Sequence, residues 1–463
     1  MSANGFAEAL DYLYSFVDYS QERSYRYSPD VFDLARMRDL LARLGDPQDR
    51  TPTIHVAGTK GKGSVSSLIA ASLRAAGHRT GLYTSPHLLR FTERIRVDGE
   101  EIPEADLVRA VDEMRPHVAA VPGLTTFELT TAAAFLYFAR RQVEAAVIEV
   151  GLGGRLDATN VVTPRVAVIT SLSYDHMHLL GERLSDIAGE KAGIIKPGVP
   201  VVLAPQQSEA EHVVERVAAE RGAPLIKVGR DWLYAPGGRD LTRQSLYVWS
   251  AEEQPLMDAF VESGGGEEWA PPRFDIPLLG HHQVVNAAVA YAALREFRRT
   301  GLDVPEAAIR EGFRRVEWPG RFQVLSSDPA VVIDSAHNRD SALKLRLALD
   351  DYFPGAPVTL IFGASSDKDI PGMLHELLPR VSRLILTQAV HPRAADPEQV
   401  AGLARGFGAR TQVVVPVEAA LRRAIERARP GEVVVSAGSL FVAGEALAAW
   451  DRLRQSVRRE VRA

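Results

Sequence analysis

The first half of the chain alternates between short apolar runs and amphipathic stretches. The apolar runs, which predict strands, lie near residues 52–57, 80–83, 145–150, 166–170 and 199–204. The run at 145–150 is unbroken, as expected for a strand buried on both faces of a parallel sheet. Between the runs, apolar residues recur at helical spacing, as at Val65, Leu68 and Leu73. This alternation predicts a doubly wound α/β sheet.

The alternation weakens at residues 230–275, where Gly237-Gly238 and Pro271-Pro272 interrupt short alternating pieces. We interpret this segment as a small antiparallel appendage or long hairpin of a first domain at residues 1–317. The same domain should contain a hairpin at 94–100. Helices are predicted on both sides of the tyrosine-rich segment 19–29. Further helices are predicted near 107–118, 127–141, 283–299 and 305–316.

The alternation restarts after Trp318-Pro319-Gly320-Arg321, which is typical of a linker. It predicts a second, smaller Rossmann-like α/β domain at residues 318–463, with no phosphate loop of its own. We place a hinge at about residues 317–322. The predicted strands lie at 322–326, 330–334, 358–362, 382–387, 411–415 and 432–436, and the helices near 340–352, 371–380, 397–406, 417–428 and 444–458.

Composition narrows the class of protein. The 463 residues carry a net charge of −5 and are 46% hydrophobic, which is ordinary for a globular protein and argues against nucleic acid or an anionic membrane as the main partner. The sequence has no cysteine, so disulfides, thiolate metal sites and cysteine nucleophiles are excluded. No apolar run reaches membrane-spanning length, and the N-terminus lacks the pattern of a signal peptide, so we expect a cytoplasmic protein. We also expect a monomer.

A glycine-rich segment, Gly58-Thr59-Lys60-Gly61-Lys62-Gly63-Ser64, joins the first predicted strand to a predicted helix. Glycines in such a loop let backbone N–H groups converge on phosphate, and the positive end of the following helix favours the anion. Lys62 can reach the β- and γ-phosphates of ATP, and the Ser64 hydroxyl can bind Mg²⁺. Gly63 separates these two residues, which departs from the common phosphate loop. The alternative is a glycine-rich turn that binds no ligand.

Polar residues also follow other predicted strands, and ligands collect where parallel strands end. Ser85, Glu149 and His176 each lie at or just after the end of a predicted strand. A carboxylate inside an apolar strand is costly unless it is paired or binds metal. These three residues therefore predict a Mg²⁺ site, although imidazole is an unusual ligand for that ion. The alternative is an ion pair of Glu149 with Arg155 or Lys62.

Together, these segments resemble folylpolyglutamate synthase and bifunctional dihydrofolate synthase/folylpolyglutamate synthase, in the Mur-ligase superfamily. The matching motifs follow the family's order across most of the chain. They are the Gly58–Ser64 loop, Thr84-Ser85-Pro86-His87, Glu149–Asn160, Asp175–Gly181, Glu190–Ile194, His282–Ala287, Trp318–Phe322, Asp334–Asn338 and Asp367-Lys368-Asp369. The resemblance implies an ATP- and Mg²⁺-dependent ligase that adds L-glutamate to folate, with dihydropteroate as an alternative acid.

The resemblance also implies roles for single residues. Lys62, His176 and Lys191 would be catalytic. Lys191 would act as a carbamate formed with CO₂, whereas a neighbour pair such as Glu190-Lys191 on a helix is normally exposed to solvent. The Mg²⁺ positions would be held by Ser64, Ser85, Glu149, His176 and carbamylated Lys191, and the nucleotide by the Gly58–Ser64 loop, Asn286, Arg321, Asp334 and His337.

The acceptor pocket is implied at Thr126, Phe127, Glu128 and Asp157, with a looser match at residues 27–33. The sequence departs from the family at Ser335, where glycine is usual, and at His281, where an acidic residue is common. The hydroxymethyl group of Ser335 could crowd the nucleotide or change nothing.

The implied reaction transfers the γ-phosphoryl group of ATP to the folate carboxylate, and the glutamate amine then displaces phosphate. No side-chain nucleophile is needed, which fits a chain without cysteine or a Gly-x-Ser-x-Gly motif. Two alternatives stay open. One is a Mur-type ligase for another carboxylate, such as a peptidoglycan precursor, and the other is a P-loop NTPase or kinase.

Overall fold

The computed structural model describes residues 3–18, 32–265 and 269–460. The chain folds into two units. The second unit is built from three separate stretches of sequence, because two short segments leave the first unit to join it. The first unit takes in the chain up to Gly238 with Ser245–Pro277 and Gln283–Glu317, and the second consists of Arg239–Gln244, Leu278–His282 and the chain from Trp318 onwards.

The first unit is organised around an eight-stranded sheet in the order β4-β3-β2-β5-β1-β6-β7-β8. Its strands are β1 (Thr53–Ala57), β2 (Thr80–Tyr83), β3 (Ile95–Val97), β4 (Glu100–Glu101), β5 (Ala145–Glu149), β6 (Val166–Ile169), β7 (Val201–Leu203) and β8 (Leu225–Lys227). The six neighbours β2-β5-β1-β6-β7-β8 pair in parallel. At one end of the sheet, β3 pairs antiparallel with both β2 and β4. Every residue of β1, β5 and β6 is buried, as their apolar sequences predict. The predicted strands of this unit are confirmed, and β8 is an addition to them.

Helices alternate with the strands along the first unit. The α-helices are α1 (Ala3–Tyr14), α2 (Leu34–Arg43), α3 (Lys62–Ala75), α4 (Glu104–Val118), α5 (Thr126–Arg140), α6 (Met177–Leu180), α7 (Leu184–Ala192), α8 (Ser208–Glu220), α9 (Gln254–Glu262), α10 (His281–Arg298) and α11 (Glu306–Arg315). The predicted hairpin at 94–100 is confirmed, with positive φ at Asp98 and Gly99 between β3 and β4. The tyrosine-rich segment 19–29 lies outside the described residues.

A smaller sheet lies in the segment where the sequence predicts an appendage. It contains β9 (Trp232–Arg239), β10 (Gln244–Ser250) and β11 (Arg273–Ile276), in the order β11-β10-β9. The helix α9 separates β10 from β11 along the chain. Gly237-Gly238 lies within β9 and Pro271-Pro272 directly precedes β11, so neither pair prevents the formation of a strand.

The second unit contains a six-stranded sheet in the order β12-β13-β17-β14-β15-β16. Its strands are β12 (Gln323–Ser327), β13 (Ala330–Ile333), β14 (Val358–Phe362), β15 (Val381–Leu386), β16 (Thr411–Val413) and β17 (Val433–Ala437). Its helices are α12 (Arg339–Tyr352), α13 (Ile370–Leu377), α14 (Pro397–Arg405), α15 (Val417–Arg427) and α16 (Leu440–Glu460). All pairings are parallel except β12 with β13, so the predicted α/β fold is confirmed. In the described parts of both units, no helix is long and apolar enough to cross a membrane.

The two short segments that join the second unit are bonded into it. Gln244 donates from Nε2 to the carbonyl oxygens of Leu278, at 2.6 Å, and Gly280, at 2.9 Å. The Tyr352 hydroxyl on α12 donates to Gln244 Oε1 at 3.0 Å. Leu279 is 2% exposed and belongs to the apolar core of this unit. These segments are therefore structural parts of the second unit.

Candidate functional site

The glycine-rich loop lies between β1 and α3, in the middle of the eight-stranded sheet. Gly58 has a φ of 151° and Gly61 a φ of 88°, which side-chain-bearing residues rarely adopt. A Cβ at Gly58 would collide with the side chain of Thr170, and a Cβ at Gly61 with that of Asn286. Backbone conformation and packing therefore both require glycine here. The loop leads directly into the N-terminus of α3, where an anion is favoured.

Four parallel strands bring polar side chains to one place, which we call the carboxyl edge. β2, β5, β1 and β6 are neighbours, so their carboxyl ends lie side by side. Glu149, at the end of β5, is 4% exposed. Its Oε2 accepts a hydrogen bond from the Ser85 backbone N–H at 3.3 Å, and its Oε1 lies 3.9 Å from Lys62 Nζ. The contact with Lys62 is one of the two ion pairs considered as alternatives to a metal site, and Arg155, the partner in the other, pairs with Glu190 at 2.7 Å.

His176 lies in the loop that follows β6, which we call the β6 loop. The Asp175 carboxylate accepts a hydrogen bond from Lys60 Nζ at 2.9 Å through Oδ2. Its Oδ1 accepts from the backbone N–H of His176 at 3.1 Å and lies 3.9 Å from His176 Nε2. His176 has a φ of 50°, in the left-handed region that is uncommon for residues with side chains. A single carboxylate thus joins the glycine-rich loop to His176.

Lys191, near the end of α7, is buried, so the interpretation of Glu190-Lys191 as a solvated pair is wrong. The side chain is only 5% exposed. The helix can approach the loop after β5 closely because that loop has a glycine: a Cβ at Gly154 would lie 2.8 Å from the carbonyl oxygen of Glu190. Burial, with help from the charge of Lys62, lowers the pKa of Lys191 from 10.5 to about 7. A substantial fraction of this amine is therefore uncharged near neutral pH.

The donor groups at the carboxyl edge are chemically suited to Mg²⁺. Ser64 is 3% exposed in the first turn of α3, and Ser85 and Glu149 supply further oxygens. In the part of the chain that the structure describes, no three His, Asp or Glu side chains are grouped so as to hold a metal on their own. The oxygens that the structure brings to this edge are therefore those of single side chains and not of a preformed carboxylate cluster among the described residues.

Two of the predicted acceptor residues stabilise the start of α5. The Thr126 hydroxyl donates to the carbonyl oxygens of Leu13, at 2.8 Å, and Phe16, at 3.1 Å. The Glu128 side chain accepts a hydrogen bond from the Thr125 backbone N–H at 2.8 Å, and the Thr125 hydroxyl oxygen accepts one from the Glu128 backbone N–H at 3.2 Å, which is a capping box. The Thr125 hydroxyl also donates to the Glu128 carboxylate at 2.8 Å. Both side chains thus have structural partners, and their place in an acceptor pocket stays a prediction. Of the looser match at 27–33, residues 27–31 lie outside the described part.

Phe127 and Asp157 lie near the loop that follows β5. The Phe127 ring occupies the space that a Cβ at Gly151 would need. Asp157 is buried and accepts hydrogen bonds from the backbone N–H groups of Leu152, at 2.8 Å, and Thr159, at 3.0 Å, and from the Thr159 hydroxyl at 2.5 Å. Burial raises its pKa. Asp157 therefore fastens the two ends of this loop together.

A buried histidine that the sequence analysis did not single out contacts Thr159, one of the hydrogen-bond partners of Asp157. His55 on β1 is fully buried, with Nε2 at 2.8 Å from the Thr159 hydroxyl oxygen. Because that hydroxyl donates its hydrogen to Asp157, we infer that His55 Nε2 carries a hydrogen and donates. Burial lowers the pKa of His55 to about 3, so the ring is neutral. The signal in the sequence is a histidine inside an otherwise apolar strand.

The second unit has its own group of predicted residues around Arg321. Gly320 and Phe322, on either side of it, have φ values of 72° and 42°. The Asp334 carboxylate accepts hydrogen bonds from the backbone N–H groups of Phe322 and Ala336, both at 2.7 Å. Burial raises the pKa of Asp334. Asp334 therefore fixes the turn that carries Arg321.

His337 and Ser335, one of the two departures from the family pattern, are separated by a single residue, and the other departure, His281, is distant in the sequence. His337 Nδ1 is 2.9 Å from the carbonyl oxygen of Ser335. Ser335 is 4% exposed, and its backbone N–H donates to the carbonyl oxygen of Gly320 at 3.0 Å. His281, at the start of α10, is exposed. The serine therefore fits within the fold of this unit.

Comparison with known proteins identifies the family. The Mur ligase middle domain matches residues 56–294, and the Mur ligase glutamate ligase domain matches residues 320–440. The chain belongs to the Mur ligase family. This Mur ligase is 35% identical over 391 residues to the dihydrofolate synthase/folylpolyglutamate synthase of Bacillus subtilis, covering 82% of this chain and 87% of the relative.

Two further comparisons indicate the same kind of relative. Folylpolyglutamate synthase of Lacticaseibacillus casei is 36% identical over 404 residues, covering 85% of this Mur ligase and 87% of the relative. The structure of Escherichia coli FolC in complex with DHPP and ADP superposes with a TM-score of 0.82 at 33% identity, covering 97% and 98% of the two chains. The predicted resemblance to folylpolyglutamate and dihydrofolate synthases is confirmed. The roles of single residues stay predictions.

Proposed function

We propose that this Mur ligase joins L-glutamate to a folate carboxylate in an ATP-dependent reaction that passes through an acyl phosphate. The observation that carries the proposal is the composition of the carboxyl edge. A phosphate loop, a buried carboxylate and a buried lysine of lowered pKa meet there, in a chain whose relatives are folylpolyglutamate and dihydrofolate synthases.

The Gly58–Ser64 loop would bind the phosphates of ATP. The N-terminus of α3 favours the anion, and Lys62 would neutralise charge that develops on the transferred phosphoryl group. Asn286 packs against Gly61, and its amide is held by Gln283 at 2.9 Å. We therefore propose Asn286 as a nucleotide contact from α10, and Arg321, Asp334 and His337 as nucleotide contacts of the second unit.

Ser64, Ser85, Glu149 and His176 would hold Mg²⁺ at the carboxyl edge, since the first three offer hard oxygen atoms. Bound Mg²⁺ would supply a positive charge that stabilises the phosphoryl oxygens. Lys191 would join this group as a carbamate. A carbamate forms when an uncharged amine attacks CO₂, and burial keeps part of this amine uncharged near pH 7. The product is an anion with two oxygens, in place of a buried cation.

The chemistry needs no protein nucleophile. The folate carboxylate attacks the γ-phosphorus of ATP and ADP leaves, which gives an acyl phosphate. The glutamate amine then attacks the acyl carbon, the carbon–oxygen bond to phosphate breaks, and the amine loses a proton. Water has to be kept from the acyl phosphate, because hydrolysis would waste the activated group. In this proposal Lys62 stabilises the first step, and the acceptor is oriented by residues near Phe127.

An omission assay tests the proposal. Purified protein is given ATP, Mg²⁺, tetrahydrofolate and L-glutamate, and ADP release is measured with each component left out in turn. We expect release only when both tetrahydrofolate and glutamate are present. Release with neither would show a P-loop NTPase, and release with a different acid would show another Mur-type ligase. Replacing tetrahydrofolate with dihydropteroate decides whether dihydrofolate synthesis occurs as well.

A further inference from the structure

Lys60 and Thr59 belong to the glycine-rich loop, but their hydrogen bonds are made to the β6 loop. The backbone N–H groups of Thr59 and Lys60 both donate to the carbonyl oxygen of Ser171, at 2.9 and 3.1 Å. The Thr59 hydroxyl donates to the carbonyl oxygen of Ser173 at 3.2 Å, and the Ser173 backbone N–H approaches the same hydroxyl oxygen at 3.2 Å. The two loops are therefore bonded along several residues, and the glycine-rich loop is fixed against the β6 loop.

The Lys60 side chain extends this attachment to Asp175. Lys60 Nζ lies 2.9 Å from Asp175 Oδ2, and the two side chains are only 13% and 11% exposed. An ion pair so well shielded from water cannot lose one partner cheaply, because the other charge is then left buried and uncompensated. This pair links residues that are 115 positions apart in the sequence.

Asp175 in turn holds His176 in an unfavourable backbone conformation. Its second oxygen, Oδ1, accepts the His176 backbone N–H at 3.1 Å. The left-handed conformation of His176, with φ at 50°, persists only where the surroundings impose it. Lys60 occupies Oδ2 and so orients the carboxylate, which leaves Oδ1 facing His176.

We propose that Lys60 is a positioning residue that acts through Asp175 to fix His176 at the carboxyl edge. The inference rests on the proposed function for the role of His176 toward Mg²⁺. It assigns Lys60 a different part from the one the glycine-rich motif suggests, which is direct contact with the nucleotide. A partner that orients a metal ligand typically changes metal affinity or activity by about 10- to 100-fold when it is removed.

A double-mutant cycle of Lys60→Gln, Asp175→Asn and the double variant tests the proposal in the full-length protein. ADP binding is measured by calorimetry with and without MgCl₂, so the reading does not depend on turnover. We expect each single variant to weaken binding about tenfold in the presence of Mg²⁺, and to leave Mg²⁺-free binding within about twofold of the unaltered protein. The double variant should bind no more weakly than Asp175→Asn alone, because Lys60 acts through Asp175.

Two control variants separate positioning from general damage. Lys60→Arg keeps a cation opposite Asp175 and should retain most of the Mg²⁺-dependent binding. Lys196→Gln removes another half-buried lysine, whose ammonium donates to the carbonyl and side-chain oxygens of Asn160 at 3.0 and 2.8 Å. It should lower the melting temperature without changing the Mg²⁺ dependence.

Two results would overturn the inference. If Lys60→Gln weakens Mg²⁺-free ADP binding while Asp175→Asn does not, Lys60 contacts the nucleotide directly. If both variants only lower the melting temperature, the pair is purely structural. The calorimetry needs neither folate nor glutamate, so its result does not depend on the proposed ligase reaction. If that reaction fails, the failure appears only in the omission assay, and the calorimetry still tests the role of Lys60.

Discussion

Lys191 should react with CO₂ close to neutral pH. Only an uncharged amine can attack CO₂, and the pKa of Lys191 is lowered from 10.5 to about 7. At pH 7 about half of this amine is therefore uncharged, against about one in 3,000 for an ordinary lysine. The lowering is equivalent to about 5 kcal/mol against the charged form, and burial is its main cause, with a smaller contribution from the charge of Lys62.

The sign of the pH dependence follows directly. As the pH falls below about 7, Lys191 gains a proton, and the reactive fraction drops about tenfold for each pH unit once it is well below the pKa. Carbamate should therefore form at pH 7 to 8, be reduced at pH 6 and be nearly absent at pH 5. The carbamate itself is also released in acid, which acts in the same direction.

Carbon NMR of the protein in ¹³C-labelled bicarbonate measures this reaction. We expect a carbamate resonance at pH 8 that disappears in Lys191→Ala and persists in Lys196→Gln, which removes a second lysine of lowered pKa, about 8. The ligase activity of Lys191→Ala should recover in part when a short carboxylate such as acetate is added. A resonance that survives Lys191→Ala, or unaltered activity in that variant, would refute the reasoning.

Two further predictions concern His55 and Gly61. The pKa of His55 is about 3 in the folded protein and 6.5 ordinarily, so between these pH values the unfolded chain binds the extra proton and the free energy of unfolding falls as the pH falls. Urea unfolding gives the free energy of unfolding at pH 6.0 and at pH 4.5. Between these two pH values the unaltered protein should lose about 2 kcal/mol more of this free energy than His55→Leu does. Equal losses in the two proteins would mean that His55 is protonated in the fold. Gly61→Ala and Gly77→Ala both place a side chain at a φ near 90°, which should cost each variant about 1 kcal/mol of stability. Gly61→Ala should cost more than Gly77→Ala, because only its side chain forces Asn286 aside. Calorimetry should therefore show ADP binding weakened by at least about tenfold in Gly61→Ala alone, and equal weakening in both variants would contradict the packing argument.

The strands and the carboxyl edge could be predicted because both depend on local sequence. Apolar runs specify buried parallel strands, and polar residues at their ends must then lie together once the strands are neighbours. This reasoning expected Ser85 and Glu149 to lie together, and the Ser85 backbone N–H does donate to Glu149. The Glu149 carboxylate also lies 3.9 Å from Lys62, which is the ion pair considered as the alternative to a metal site. Thr126 and Glu128 show the opposite case, since the spacing of Thr125 and Glu128 is itself a capping-box signature, and it accounts for the Glu128 side chain without a ligand.

The features of the site that could not be predicted depend on contacts between residues that are far apart in the sequence. An adjacent Glu190-Lys191 pair gives no sign of burial, and Lys191 is buried because Gly154, far away in the sequence, lets α7 approach. The pairing of Lys60 with Asp175 and of His55 with Thr159 likewise joins residues more than one hundred positions apart. Local periodicity carries no information about such contacts.

The non-contiguous second unit has a consequence for exchanging domains between Mur ligases. A piece cut at the linker, from Trp318 to the C-terminus, would lack Gln244 and Leu279. The Tyr352 hydroxyl would then lose the Gln244 side chain to which it donates, and the apolar core would be open where Leu279 lies. An isolated second unit that is to fold on its own must therefore include Arg239–Gln244 and Leu278–His282, or designed segments that make the same contacts.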